Sequence, residues 1–229
     1  VSDNRLERLE GKIEYSFKDN GLLKRAITHS SYAREHADCP GDNERLEFLG
    51  DSILGFLVCD ILYKEYPDLN EGEMAKIKSY VVSEPALSSY AEELALGDYI
   101  LLGRSEWNTD GNYRPGLLAD TFEALTAALY IDGGLGPAAE LTCPFMRRRI
   151  TLAVTSGDYR DFKTVLQEII QEHRRITPTY TILSAYGPEH DKSFVAAVYA
   201  DKELLGAGKG KSKKAAEQDA AKNALEKLR

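Results

Sequence analysis

The sequence predicts an all-helical domain followed by a small α+β domain with the element order α-β-β-β-α. Three observations carry this prediction. Up to about residue 153 the apolar residues recur at helical spacing, whereas strand-like runs first appear after residue 178. A small polar stretch, Thr155-Ser156-Gly157-Asp158, separates the two patterns and reads as a linker. Charge divides at the same place: residues 161–229 carry 12 basic and 10 acidic side chains, and residues 1–160 carry 17 and 27. The expected boundaries are therefore 1–154 for the first domain, 155–160 for the linker and 161–229 for the second. An acidic domain repels nucleic acid unless cations intervene, while a mildly basic one attracts it.

In chain order, Asn20-Gly21 precedes a helical pattern, LLKRAITHSSYAREH. Asp42 and Asn43 are good N-caps for a long helix starting at Glu44 and ending before Pro67. Ser83 to Leu94 is amphipathic. A polar loop, Gly103 to Gly116, leads into a second long helix, Leu117 to Ile131, which stops at Asp132-Gly133-Gly134. Pro137 to Ala153 reads as one more helix, interrupted or started near Pro144. Beyond the linker, Asp161 to His173 is helical, with Phe162, Val165, Leu166, Ile169 and Ile170 on one side. Strands are expected at Thr179–Ala185, Phe194–Ala200 and Glu203–Gly208, and Ser212 caps a last helix.

Composition excludes several classes. The longest apolar run, Ile53 to Leu62, is broken by Asp60 and is too short to span a bilayer. The first residues, VSDNRLERLEGK, lack the apolar core of a signal peptide. Cys39, Cys59 and Cys143 are odd in number and form no CxxC pair, with Cys59 read as core. That usage fits a reducing cytoplasm and argues against a disulfide scaffold or a zinc cluster.

The most informative feature is acid in the wrong place. Within ERLEFLGDSILGFLVCDIL, Glu47 and Asp51 are four apart and share a helix face, with Glu44 three residues earlier. Within LLADTFEALTAALYI, Asp120 and Glu123 are three apart and share a face too. A helix apolar nearly all round is expected to be buried. An unpartnered carboxylate inside it costs several kcal/mol or more. A single acid on a helix is normally solvated, but two pairs on two such helices call for a common positive charge. A hard divalent cation with oxygen ligands, such as Mg²⁺, supplies it economically. Gly50 fits close helix approach, since a helix-interior glycine otherwise costs about 1 kcal/mol against alanine.

These stretches resemble a known family. NERLEFLGDS (Asn43 to Ser52) resembles the signature of the bacterial ribonuclease III family, and LLADTFEALTAALYIDGG (Leu117 to Gly134) resembles its second block. THSSYARE and LNEGEMAKIKS follow the family order. The resemblance implies an endonuclease domain in which Glu47, Asp51, Asp120 and Glu123 bind Mg²⁺, with Mn²⁺ as a substitute, and Glu44 lies near the scissile region. Either Glu71 or Glu73 matches a further acid, and the segment does not choose between them. In the polar loop Asn112 stands where bacterial members often have a basic residue ahead of Arg114-Pro115. His29 has no acid partner beside it in sequence and reads as a structural histidine in a buried helix.

Residues 161–229 resemble a double-stranded-RNA-binding domain through DFKTVLQEIIQE, GPEHDKSF and GKGKSKKAAEQDAA. The resemblance implies that Gln167 and Glu168 face one minor groove while Pro188, Glu189 and His190 enter the other. Lys209, Lys211, Lys213 and Lys214 cluster at a helix N-terminus, where cations oppose the helix dipole. A phosphate there satisfies both the lysines and the free N–H groups. The implied protein is a cytoplasmic, Mg²⁺-dependent endonuclease of double-stranded RNA. It acts as a homodimer, leaves 5′-phosphate and 3′-hydroxyl ends, and processes ribosomal RNA precursors and other structured transcripts. Leu46, Phe48 and Leu49 are the candidate dimer contacts. A duplex-holding protein that has lost its chemistry would be expected to lack one of the four acids. A phosphohydrolase of small substrates would have no use for the second domain.

Overall fold

The computed structural model describes residues 3–39, 41–106, 111–156, 162–188 and 192–228. The chain divides into two compact units, Val1–Tyr159 and Arg160–Arg229.

The first unit is helical. Its elements are α1 (Asp3–Ile13), α2 (Asn20–Ala26), α3 (Ser30–Glu35), α4 (Glu44–Glu65), α5 (Glu71–Val81), α6 (Glu84–Glu93), α7 (Pro115–Gly133) and α8 (Leu135–Ser156). Helix α7 is the buried centre: Leu118, Phe122, Ala124, Leu125, Ala127 and Ala128 are fully inaccessible. Its buried Thr121 and Thr126 donate their hydroxyls to the carbonyls of Leu117 and Phe122, so no polar group is orphaned there. Helices α4, α6 and α8 pack around it. The junction of α4 and α7 is set by Gly50, where an added β-carbon would collide with the backbone carbonyl of Glu123. That contact is why the two acid-bearing helices lie so close.

Several local expectations are revised. The run read as one helix after Gly21 is two, because Ile27–His29 leaves the helix to meet residue 101. Leu101 N donates to the Ile27 carbonyl at 2.7 Å, and His29 N donates to the Leu101 carbonyl at 3.0 Å. His29 therefore precedes α3 as its N-cap rather than lying within a helix. Helix α8 starts at Leu135, runs through Pro144 and reaches Ser156, so Thr155 and Ser156 are helical rather than linker. The buried Ala138, Met146, Ile150 and Ala153 hold it against the core despite the backbone donor that Pro144 lacks. Residues 157–160 of the expected linker lie outside the described residues. Helix α4 is not covered all round: Phe48, Phe56 and Tyr63 are 80%, 54% and 79% exposed, and Cys59 is exposed rather than core.

The second unit is helix α9 (Phe162–Arg174), strands β1 (Thr179–Tyr186), β2 (Ser193–Ala200) and β3 (Glu203–Gly210), and helix α10 (Lys213–Leu228). The sheet is antiparallel in the order β1-β2-β3. Leu166 and Ile170 of α9 pack with Ala216, Ala220, Ala221 and Ala224 of α10 over one sheet face. Gly206, Gly208 and Gly210 let α10 lie directly on β3, because a β-carbon at any of them would strike the α10 backbone. Ser212 caps α10, its Oγ accepting from Ala215 N at 3.1 Å.

Candidate active site and nucleic-acid interface

Close contact at Gly50 brings the acids of α4 and α7 together. Oxygens of Glu47, Asp120 and Glu123 lie within 4.8 Å of one another, and all three side chains are half-buried. Asp51 is exposed and falls outside this trio, yet its charge acts on Glu123. Glu44, also exposed, acts on Glu47. The four acids thus share one region, with three in ligand range of a single point and Asp51 at the edge.

Electrostatics record the crowding. Burial first, then the like charges of Asp51, Glu47 and Asp120, push the Glu123 carboxyl up to about 8. Burial also raises Glu47, aided by Asp120, Glu44 and Asp51. Asp120 is raised by burial and by Glu84, while His29 acts in the opposite sense. Such a set holds protons unless a cation replaces them. The donor set, all carboxylate oxygen, suits a hard divalent ion.

Two neighbours escaped the sequence reading. Glu84 opens α6, its carboxyl group beside Gly116, one turn before Asp120 on α7. His29 lies 91 positions from Asp120 in sequence but within its electrostatic reach. No local pattern in the chain signals either approach. Neither Glu71 nor Glu73 is among the acids acting on the trio. Glu73 completes a capping box with Asn70 at the start of α5. Glu71 lines an apolar groove of about 460 Å³ on the outer side of α4, with Phe56, Cys59, Tyr63 and Met74. Asn112 donates to the Gly97 carbonyl at 3.3 Å, which ties the polar loop to the helical unit.

In the second unit, Gln167 and Glu168 are exposed on α9, and Pro188 is exposed after β1. Lys209, Lys211, Lys213 and Lys214 are exposed around the start of α10, whose first turn has no acid. Glu189 and His190 lie outside the described residues. Gln167 and Lys214 line one groove of about 310 Å³, so α9 and the lysine cluster share a surface. Lys163, unremarked in the sequence, binds Glu217 at 2.6 Å and lies over the Tyr180 ring, bracing α9 against α10 and β1.

Residues 19–150 match the family model described as Ribonuclease-III-like, more than half of the chain. The chain belongs to the ribonuclease III family. Residues 162–228 match the double-stranded RNA binding motif. The chain is 43% identical to ribonuclease 3 of Borreliella burgdorferi over 225 residues, covering 98% of this chain and 92% of that one. It is 43% identical to ribonuclease 3 of Listeria monocytogenes serotype 4a over 229 residues, covering 98% of each. Among solved structures, the nuclease domain of ribonuclease III from Campylobacter jejuni is similar, with a TM-score of 0.58 at 33% identity. The match covers 63% of this chain and 97% of that one. A ribonuclease III nuclease domain joined to a double-stranded-RNA-binding motif makes this family member a double-strand-specific endoribonuclease.

Proposed function

We propose that the chain is a metal-dependent ribonuclease III that hydrolyses phosphodiester bonds of RNA duplexes, leaving 5′-phosphate and 3′-hydroxyl ends. The observation that carries this reading is the convergence of Glu47, Asp120 and Glu123 across the Gly50 contact. These three, with Asp51, would hold Mg²⁺ or Mn²⁺, which when bound supplies Lewis acidity and an activated water. The protein's own part is to fix the carboxylates on two rigid helices so that little reorganisation accompanies the reaction. Glu44 extends the acidic rim toward the scissile region. The raised pKa of Glu123 supports the reading, since a cation there displaces a proton rather than meeting bare repulsion.

Residues 161–229 supply the duplex grip. Gln167 and Glu168, with Pro188 and His190, contact minor grooves, and Lys209, Lys211, Lys213 and Lys214 meet phosphates between them. The groove shared by Gln167 and Lys214 supports this division of labour. Residues 155–160 join the two functions.

A homodimer through the nuclease unit completes the proposal, each copy cutting one strand. The exposed stripe of Phe48, Phe56 and Tyr63 beside an apolar groove supports it. Of the three dimer candidates, Leu46 is buried in the core and Leu49 packs partly against it, which leaves Phe48 as the contact. The Campylobacter nuclease domain is itself described by a region involved in dimer formation. The proposed setting is the cytoplasm and the substrates are ribosomal RNA precursors and other structured transcripts. No helix among the described residues is long and apolar enough to cross a membrane.

The test is incubation of the protein with a long RNA duplex in Mg²⁺ and in chelator. End analysis and sedimentation of wild type against Phe48→Ala complete it. Metal-dependent cutting to 5′-phosphate products by a dimer is expected. Cutting that survives chelation, or binding with no cutting in Mg²⁺, would refute the proposal.

A further inference from the structure

At its N-terminal end, helix α9 is tied to α10 and β1 through Lys163. The backbone N–H of Lys163 lies in the first turn, where no intrahelical carbonyl is available to it, and it donates to Gln218 Oε1 of α10 at 3.3 Å. The Lys163 ammonium donates to Glu217 Oε2 of α10 at 2.6 Å and lies 4.4 Å from the centre of the Tyr180 ring of β1. One residue thus joins three elements. The ion pair is sheltered, with 33% of the Lys163 side chain and 23% of the Glu217 side chain exposed, so water and salt screen it less than an open surface pair.

This tie stands between two of the proposed duplex contacts. Gln167 follows Lys163 by four residues on α9, and Lys214 precedes Gln218 by four on α10, so each shares a helix face with one end of the tie. Lys163, Gln167, Lys214 and Gln218 line one groove of about 310 Å³, with Tyr180 beside them. The apolar packing between the helices sets Leu166 and Ile170 against Ala216, Ala220, Ala221 and Ala224. Methyl groups present shallow ridges, which only weakly resist sliding of one helix along the other. The polar tie therefore fixes the spacing of Gln167 from Lys214. A double-stranded-RNA-binding unit reads shape, a minor groove at one contact and the phosphates across the adjacent major groove at the next. The distance between its contacts is the measure it applies, and A-form and B-form duplexes differ in that distance.

We propose that Lys163 is the positioning residue that sets this spacing, and through it the preference of the unit for RNA over DNA duplexes. The proposal rests on the reading of Gln167 and the lysine cluster as duplex contacts. Lys163 acts through Glu217, Gln218 and Tyr180 and makes no contact with RNA itself.

The test uses the full chain in chelator. Gel shifts give affinities for an RNA duplex and a DNA duplex of the same sequence, at a temperature where circular dichroism shows every variant folded. Lys163→Met keeps the stem and the backbone N–H but loses the ion pair and the cation over the ring. It is expected to weaken RNA affinity about three- to tenfold and DNA affinity by less than about twofold. Lys163→Arg is expected to bind RNA within about twofold of wild type, since it restores both the charge and the ring contact. Glu217→Gln removes a negative charge, so electrostatics alone would tighten RNA binding. Loss of the tie gives the opposite sign, about a two- to fivefold weakening. In Mg²⁺ the cleavage defect of Lys163→Met is expected in KM, with the rate at saturating duplex within about twofold of wild type. Unchanged RNA affinity in Lys163→Met would overturn the inference. So would equal losses on RNA and DNA, which would make Lys163 a direct phosphate contact, or tighter RNA binding by Glu217→Gln. Wild-type RNA affinity after Lys213→Ala with Lys214→Ala would sink the reading of this face and the inference with it, whereas a weakened lysine pair beside an unaffected Lys163→Met sinks only the inference.

Discussion

The two candidate sites both gather like charges, and they do so in opposite surroundings. On α4 and α7 the acids are half-buried between apolar helices, and their carboxyls are pushed up, Glu123 to about 8. Around the start of α10 the lysines are exposed to solvent. Water and salt screen the second cluster, while the interior does not screen the first. The acid cluster thus concentrates like charge in one half-buried place between two packed helices. The lysine cluster is a diffuse field that suits a polyanion read by shape and charge. Substitutions should therefore act sharply in one region and gradually in the other.

The largest effect is expected at Glu123. Glu123→Gln should reduce cleavage by about a thousandfold or more while duplex affinity stays within about twofold, measured by single-turnover kinetics and gel shift. Retained turnover would erase the contrast between the regions. Next comes the helix contact. Gly50→Ala should force α4 away from the Glu123 carbonyl, costing about 1–3 kcal/mol of stability and at least a tenfold loss of rate. Denaturant melts and kinetics check it, and an unperturbed variant would mean the two helices have slack. The lysine pair should respond more gently. Lys213→Ala with Lys214→Ala should weaken duplex binding several-fold at moderate salt and flatten the salt dependence by about one to two in log–log slope. Metal-dependent cutting at low salt should survive. Binding unchanged across the titration would remove the lysines from the interface.

The smallest effect concerns pH. The folded-state pKa of Glu123 is raised above its ordinary 4.5, so the folded protein holds a proton that the unfolded chain releases. That contribution to stability is fully present below about 4.5 and is lost as pH rises through about 8. Chelated protein should melt several degrees lower at pH 8.5 than at pH 5.5. Mg²⁺ should restore the loss and Glu123→Gln should flatten the profile. A flat profile in the wild type would mean that the acids are better solvated than their burial implies.

Asp51 and His29 show where local pattern stops informing. Three- and four-residue spacing puts Glu47 and Asp51 on one face of α4, but a face is wide. Packing against α7 draws Glu47 into the trio with Asp120 and Glu123 and leaves Asp51 at its exposed margin. His29 reads in sequence as part of a buried helix, whereas it stands ahead of α3 as its N-cap. It is set there by the pairing of residues 27–29 with Leu101, which no helical periodicity encodes. Likewise the apolar character of α4 suggested full burial, whereas Phe48, Phe56 and Tyr63 face outward in the single chain.

The sequence alone determined the succession of a helical region and an α-β-β-β-α region, the glycine that lets two helices touch, the acids they carry and the lysines that start α10. Each of these is written in near-neighbour spacing, capping and side-chain chemistry, which act over a turn or two of backbone. The tertiary structure decided which acids meet, which face of α4 stays open and where Gln167 meets Lys214. Those outcomes depend on contacts between segments far apart in the chain, fixed by close packing of whole helices rather than by any local preference.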